Sequence, residues 1–275
     1  MERLILTEEE YFSLSSLVYR QFGIVIKERN KHLLLERLQN TLRSGGFDSF
    51  TDYYQYIMAD VTGQALLQLV DKISTNHTAF FREMDHFTFF ANSILPSLCE
   101  KQKRTGKKEL KIWSAGCSSG EEAYSLAMVI DDFLGNEKKY WDIGILATDI
   151  SKTALYKAEK GVYNLDVISN VPNKFLRPYF IRKNNLVEIS GEIKKSVIFR
   201  RFNLMNEVFP FKTRFHVIFC RNVMIYFDEG TKRRLVKKFF NQLETDGYFF
   251  IGYSEILDHS QKEYRYVKPA IYQKI

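Results

Sequence analysis

Residues 110–134 read LKIWSAGCSSGEEAYSLAMVIDDFL. An apolar run leads through a tight turn of small residues into an amphipathic stretch, which predicts strand, turn and helix in immediate succession. The unit recurs along the chain. IGILATDIS (143–151) predicts a second strand with an acidic end, followed by the helix KTALYKAEKG (152–161). FHVIFCRNVMIYF (215–227) predicts a third apolar strand, with a helix from Thr231 to Gln242, and Gly247–Tyr253 and Tyr264–Ile275 predict further strands. Strands alternating with helices of about ten to fifteen residues predict a parallel, doubly wound α/β sheet, closed at one edge by a C-terminal strand pair.

The N-terminal part has a different period. KHLLLERLQNTLRSGGF (31–47) sets Leu34, Leu35, Leu38 and Leu42 at helical spacing before a Gly45-Gly46 stop. FTDYYQYIMAD (50–60) and Gly63–Lys72 predict two more helices, so a small all-helical domain is expected over 1–85 and the α/β domain over 86–275. Within the latter, RPYFIRKNNLVEISGEIKKSVIFRRF (177–202) alternates apolar and polar residues around Asn184-Asn185. That alternation predicts a small antiparallel insertion at about 178–200.

Composition narrows the function classes. With 45% hydrophobic and 27% charged residues the chain has the make-up of an ordinary globular protein. Three glutamates stand where a signal peptide needs its apolar stretch, and no apolar run approaches the roughly 20 residues that span a bilayer, so a cytoplasmic protein without membrane insertion is expected. Cys99, Cys117 and Cys220 are far apart, and the five histidines lack zinc-ligand spacing, which argues against a metal site. Most of the basic excess behind the net charge of +7 sits in Lys101–Lys111, which reads as a linker, and in Lys232–Lys238, which reads as a solvated helix face. Without one basic patch interleaved with aromatics, nucleic acid is not the expected partner.

Five segments carry chemistry. Ala115–Glu122 joins strand to helix with small residues that let a ligand approach a helix N-terminus. The two acids that follow would repel a pyrophosphate and suit a ligand with an amino group, although a plain tight turn would account for this segment alone. Asp149, closing its strand, can accept both hydroxyls of a ribose or cap the next helix. NAD competes as the ligand, and the glutamate pair with the missing third glycine favours adenosylmethionine. Arg221-Asn222 leaves a buried strand at the edge where open α/β sheets bind ligands, with Tyr226 either in the site or packed beside it. Asn203-Leu204 offers an amide and an apolar group for an adenine. Finally Ser74–Glu83 connects the two parts, with Phe80 and Phe81 read as core and Arg82 as a fixed cation beside them.

TNHTAFFRE, WSAGCSSGEEAYSLA, ATDISKTALYKAEKGVY, FNL and FCRNVMIYF, in this order and spacing, resemble the glutamate O-methyltransferases of chemotaxis receptors, the CheR type, over nearly the whole chain. The resemblance implies a class I methyltransferase fold with a mostly parallel seven-stranded sheet. It also implies methyl transfer from S-adenosyl-L-methionine to receptor glutamates, leaving S-adenosyl-L-homocysteine. It assigns cofactor contacts to Asn76, Thr78, Arg82, Glu122, Asp149, Asn203, Leu204, Arg221 and Asn222, and puts Arg82 and Tyr226 nearest the reacting groups. The implied partner is the cytoplasmic helical domain of the receptors, docked through Arg37 and Arg43; Asn40 and Thr41 stand at positions that are basic in well-known members. Members that tether to a receptor's C-terminal pentapeptide carry a longer, Gly-containing hairpin than RKNNLVEIS, so tight pentapeptide binding is not expected. Two rival readings are a non-catalytic adenosylmethionine sensor and a methyltransferase acting on RNA or a small molecule.

Overall fold

The computed structural model describes residues 4–257 and 263–275. The chain divides into two units. The first comprises the N-terminal residues to Thr75 together with Asn203–Glu207 and Tyr226–Leu235; the second holds the remainder from Asn76 onward. The expected boundary at residue 85 therefore differs from the division at Thr75/Asn76, and two later segments join the helical unit.

The first unit contains α1 (Glu8–Phe22), α2 (Lys31–Gly45), α3 (Phe50–Ala59) and α4 (Gln64–Ile73). A capping box starts α1: Thr7 Oγ1 accepts from the Glu10 amide at 3.2 Å, and the Glu10 carboxylate accepts from the Thr7 amide at 2.9 Å. Gly23 ends it in the left-handed region, where an added methyl would lie 2.5 Å from Met205 Sδ. Leu34, Leu38 and Leu42 are buried along α2, as the spacing predicts, while Leu35 is half-buried.

The second unit opens with α5 (Met84–Phe89), which passes through a π-helical turn at Phe90–Ile94 into α6 (Leu95–Thr105). The polar run from Lys101 is thus the last turn of a helix as far as Thr105, not a linker. Leu95, Leu98 and Cys99 bury one face, and the basic residues lie on the other until Gly106 stops the helix in the left-handed region. There follow β1 (Glu109–Ala115), α7 (Glu121–Leu134), β2 (Asp142–Asp149), α8 (Lys152–Lys160), β3 (Val162–Asn164), α9 (Asn173–Tyr179), β4 (Phe180–Lys183), β5 (Leu186–Ile189), α10 (Gly191–Lys195), β6 (Val197–Arg201) and β7 (Phe215–Phe219). Then come α11 (Glu229–Gln242), whose residues divide between the two units, β8 (Leu243–Phe250), β9 (Tyr264–Lys268) and β10 (Ile271–Lys274).

Seven strands form the main sheet in the order β6-β2-β1-β7-β8-β10-β9. The first five are parallel, and β10 runs antiparallel to both β8 and β9. The doubly wound α/β expectation holds, and Tyr264–Ile275, expected as one strand, is itself the antiparallel pair β9–β10 at the closing edge. β1 and β7 are almost wholly buried, as strands covered on both faces must be. Trp113 on β1 anchors one face: it is fully buried among Phe209, Phe211, Phe215 and Phe239, and its indole N–H donates to Thr148 Oγ1 at 2.9 Å.

The small antiparallel sheet, in the order β3-β5-β4, differs in extent from the expected insertion. It draws in Val162–Asn164 from upstream and gives up Val197–Arg201, which pairs in parallel with β2 as an edge strand of the main sheet. Alternation could not have told the two apart. Val197 and Phe199 are buried with the exposed Ile198 between them, the same period of two that β5 shows. Among the described residues no helix is long and apolar enough to cross a membrane.

Candidate functional site

In an open α/β sheet the crevice beyond the carboxyl ends of the strands, where the strand order reverses, receives the ligand. Here that reversal falls at β1, which pairs with β2 on one side and β7 on the other. The turns leaving these strands, and the segment Asn76–Glu83, all belong to the second unit.

After β1 the chain turns through Gly116 (φ 80°), Ser118 (φ 50°) and Gly120 (φ 95°). A methyl on Gly116 would meet Val223 Cγ2 at 2.4 Å, so the backbone needs glycine there for close approach as well as for φ. The amides of Gly116 and Cys117 donate to the Thr148 carbonyl at 2.7 and 2.9 Å, tying this turn to the end of β2. Asp149 completes the tie. Its Oδ2 accepts from the Ser118 amide at 2.8 Å and its Oδ1 from the Ser151 amide at 2.9 Å. Ser151, not Asp149, caps α8, accepting from the Ala154 amide at 3.1 Å.

Glu122 lies in the first turn of α7, where the helix dipole favours an acid. Its carboxylate accepts from Ser114 Oγ at 2.7 Å and from Arg221 Nη1 at 3.1 Å. Burial raises the Glu122 carboxyl above its ordinary range, with Arg221 and Ser114 offsetting part of the effect. Arg221, with its side chain 2% exposed, also donates through Nη2 to Glu83 Oε2 at 2.9 Å and to the Arg82 carbonyl. For Glu83 the balance reverses: burial is the largest single influence and raises its pKa, but the charge and hydrogen bond of Arg221, with His86 and Asn222, together outweigh it and leave the carboxyl below the usual carboxylate range. The Asn222 amide reaches Glu83 Oε1 at 3.4 Å. A continuous chain thus runs Asn222–Glu83–Arg221–Glu122–Ser114.

The Asn76–Glu83 segment is held in an unusual backbone. Phe81 (φ 54°) and Glu83 (φ 57°) are left-handed without being glycine, at a cost of about 1–2 kcal/mol each. Tertiary contacts impose it. Ser125 Oγ accepts from the Phe81 amide at 3.0 Å, Ser118 Oγ donates to the Asn76 carbonyl at 2.9 Å, and the Phe81 ring stacks on Phe175 at 4.7 Å. Phe80 and Phe81 are core residues, as the sequence suggested. Arg82 between them and Glu83 is half-buried; its guanidinium donates to the His77 carbonyl at 3.0 Å and makes no ion pair among the described residues. Thr78 is half-buried beside it in sequence.

Asn203, Leu204 and Tyr226 belong to the first unit. The Asn203 amide is engaged there, donating to the Gln21 carbonyl at 2.9 Å and accepting from the Met205 amide at 3.0 Å, and Leu204 is buried. Tyr226 is half-buried and its carbonyl accepts from the Val25 amide at 2.8 Å. On α2, Arg37 is not a free cation: its guanidinium binds the Ile73 carbonyl and Thr75 Oγ1, so it fastens the end of α4, whereas Arg43 is exposed.

Sequence reasoning passed over two acids. Glu83 stands in the quoted TAFFRE stretch, immediately after Arg82, and an acid next to a singled-out cation was the available signal. Glu255 follows β8, and only the folded chain shows its carboxylate collecting backbone amides.

Glu83, Glu122 and Asp149 line this edge of the sheet, and Arg221 pairs with the first two. Such an excess of acid suits a cationic nucleoside ligand better than a diphosphate, and S-adenosylmethionine carries both a sulfonium and an amino group. The strand order and the acid-lined crevice are those of an open α/β ligand-binding fold, and the family match makes it a methyltransferase. The family pattern described as the SAM-binding domain of CheR methyltransferase matches residues 76–272, and that of its all-alpha domain matches residues 9–74. The chemotaxis protein methyltransferase of Borreliella burgdorferi is 43% identical over 98% of this chain and 95% of its own length. That of Escherichia coli is 33% identical over 98% and 92%, and chemotaxis protein methyltransferase 2 of Pseudomonas aeruginosa is 34% identical over 97% and 93%. The chain belongs to the CheR methyltransferase family, with its S-adenosylmethionine-binding domain.

Proposed function

We propose that this protein transfers a methyl group from S-adenosylmethionine to glutamate side chains of chemoreceptors, forming glutamate 5-O-methyl esters. The observation that carries the reading is the Glu83–Arg221–Glu122 chain, centred on the buried Arg221, at the carboxyl ends of β1 and β7; the relatives' name, chemotaxis protein methyltransferase, supports methyl transfer in chemotaxis.

The acceptor needs little activation, because a glutamate with a reference pKa of about 4.3 is already ionised at neutral pH. Bound S-adenosylmethionine would supply an electrophilic methyl on a sulfonium, for the carboxylate oxygen to take with release of a neutral thioether. The chain's own residues therefore bind and align. Glu122 and Asp149 hold the amino and ribose ends, with Asn76, Thr78, Arg221 and Asn222 completing the grip and Asn203 and Leu204 receiving the adenine. Arg82, whose charge no carboxylate neutralises among the described residues, orients the incoming carboxylate, and Tyr226 lines the methyl path. Alignment of this kind, with desolvation of the carboxylate offset by Arg82, accounts for catalysis without a general base.

Docking on the receptor's helical domain falls to Arg43 more than to Arg37, since Arg37 is committed within its own unit. The two-residue hairpin turn at Asn184-Asn185 supports methylation without a pentapeptide tether. One assay tests these points: labelled S-adenosylmethionine is incubated with receptor-containing membranes, and methanol released by alkali is counted. Alkali-labile label is expected, reduced by Arg43→Glu at unchanged cofactor affinity and unaffected by removal of the receptor's C-terminal pentapeptide. Alkali-stable label, or none, would overturn the reading.

A further inference from the structure

Beyond β8 the chain forms a short loop, Gly252–Glu255, with no role in the reading above. Glu255 is 7% exposed and makes no ion pair among the described residues. An ionised carboxylate buried without a cation is costly, and it persists only where donors surround it. Here the donors are backbone amides. Glu255 Oε2 accepts from Asn222 at 3.0 Å and from Gly252 at 2.6 Å, and Oε1 accepts from Ile225 at 3.1 Å. Two of the three belong to the turn that leaves β7. That turn needs restraint: Asn222 is left-handed (φ 59°), yet it must present its amide to Glu83 while Arg221, one residue earlier, bridges Glu83 and Glu122.

A second observation on the same loop is independent of charge. A methyl added to Gly252 would lie 2.4 Å from Asn222 Nδ2 and 2.9 Å from the Asn222 backbone nitrogen. The two loops are in close contact through a position where a side chain would force Asn222 to shift. We infer that Glu255, with Gly252, is a positioning residue for methyl transfer: it clasps the Asn222–Ile225 turn by its backbone amides and thereby fixes the aim of Arg221 and Asn222. Glu255 itself touches neither cofactor nor acceptor in this scheme. The inference rests on the methyl-transfer reading, and its test keeps the two separable.

Glu255→Gln replaces one accepting oxygen with an amino group that faces amide donors, leaving at least one buried N–H unpaired. At saturating cofactor, and counting only the folded fraction, kcat for methylation of receptor-containing membranes is expected to fall tenfold or more. Asp131→Asn serves as the control. Asp131 accepts from Lys138 and Tyr179 far from these turns in sequence, so its loss lowers Tm while kcat per folded molecule stays within twofold of wild type. If Glu255→Gln does not fold, Gly252→Ala takes its place with the same expected loss. A fall of less than tenfold in the variant that folds overturns the inference. Wild-type protein that binds no S-adenosylmethionine overturns instead the reading beneath it.

Discussion

The turn after β1 and the segment Asn76–Glu83 both bring left-handed residues to the same ion network, but they differ in what holds them there. In the turn, glycine occupies two of the three left-handed positions, Gly116 and Gly120, so the conformation is encoded where it occurs. In the segment, Phe81 and Glu83 adopt it at a cost, and the contacts that impose it come from Ser125 on α7 and Arg221 after β7. One half of the site is shaped locally and the other by its neighbours. The second half should therefore be the one that fails when those neighbours are removed.

The strongest break is Arg221→Met. It strands Glu83 and Glu122 without their cation and removes the donor to the Arg82 carbonyl, so a loss of about 3–5 kcal/mol is expected in urea unfolding, with loss of cofactor binding. A value below about 1 kcal/mol would show that the segment holds itself.

Acid should attack the same half by another route. His86 on α5 is 1% exposed and lies 3.4 Å from Glu83 Oε2. Burial lowers its pKa to about 4, with the Arg221 charge adding to the effect and Glu83 and the Pro269 carbonyl partly offsetting it. Between pH 6.5 and about 4 the unfolded chain takes up a proton that the folded protein refuses, so stability falls as pH falls through that window, by roughly 3 kcal/mol at most. Above pH 6.5 His86 contributes no pH dependence. His86→Phe should flatten this part of the stability profile, and an unchanged slope would remove His86 as its source.

The smallest effect sharpens the contrast. Ser125→Ala takes away the acceptor of the buried Phe81 amide, which should cost about 1–2 kcal/mol and weaken cofactor binding while leaving the glycine turn intact. Hydrogen exchange checks this: the Phe81 amide should lose protection while those of Gly116 and Cys117, bonded to Thr148, keep theirs.

The same contrast explains what could be read in advance. Strand–turn–helix periodicity, Gly116, Gly120 and the acid at Asp149 are local signals, and the α/β sheet followed from them. The ion chain was only half visible. Glu122, Arg221 and Asn222 stood at strand ends where ligands bind, but Glu83 becomes their partner only when α5 and β7 are brought together. Glu255 carries no sequence pattern at all, since its partners are backbone amides. Val197–Arg201 went to the wrong sheet because a period of two records which face is buried and not which strand lies alongside. Arg37 looked like a surface cation until its partners at Ile73 and Thr75, at the far end of the helical unit, were in view.

Calorimetric titration with S-adenosylmethionine probes the acid-rich crevice most directly. Stoichiometric binding to the wild-type chain is expected, lost in Arg221→Met. Wild-type protein that takes up no ligand, or an Arg221→Met variant that binds as tightly as wild type, would contradict the assignment of this strand edge as the cofactor site.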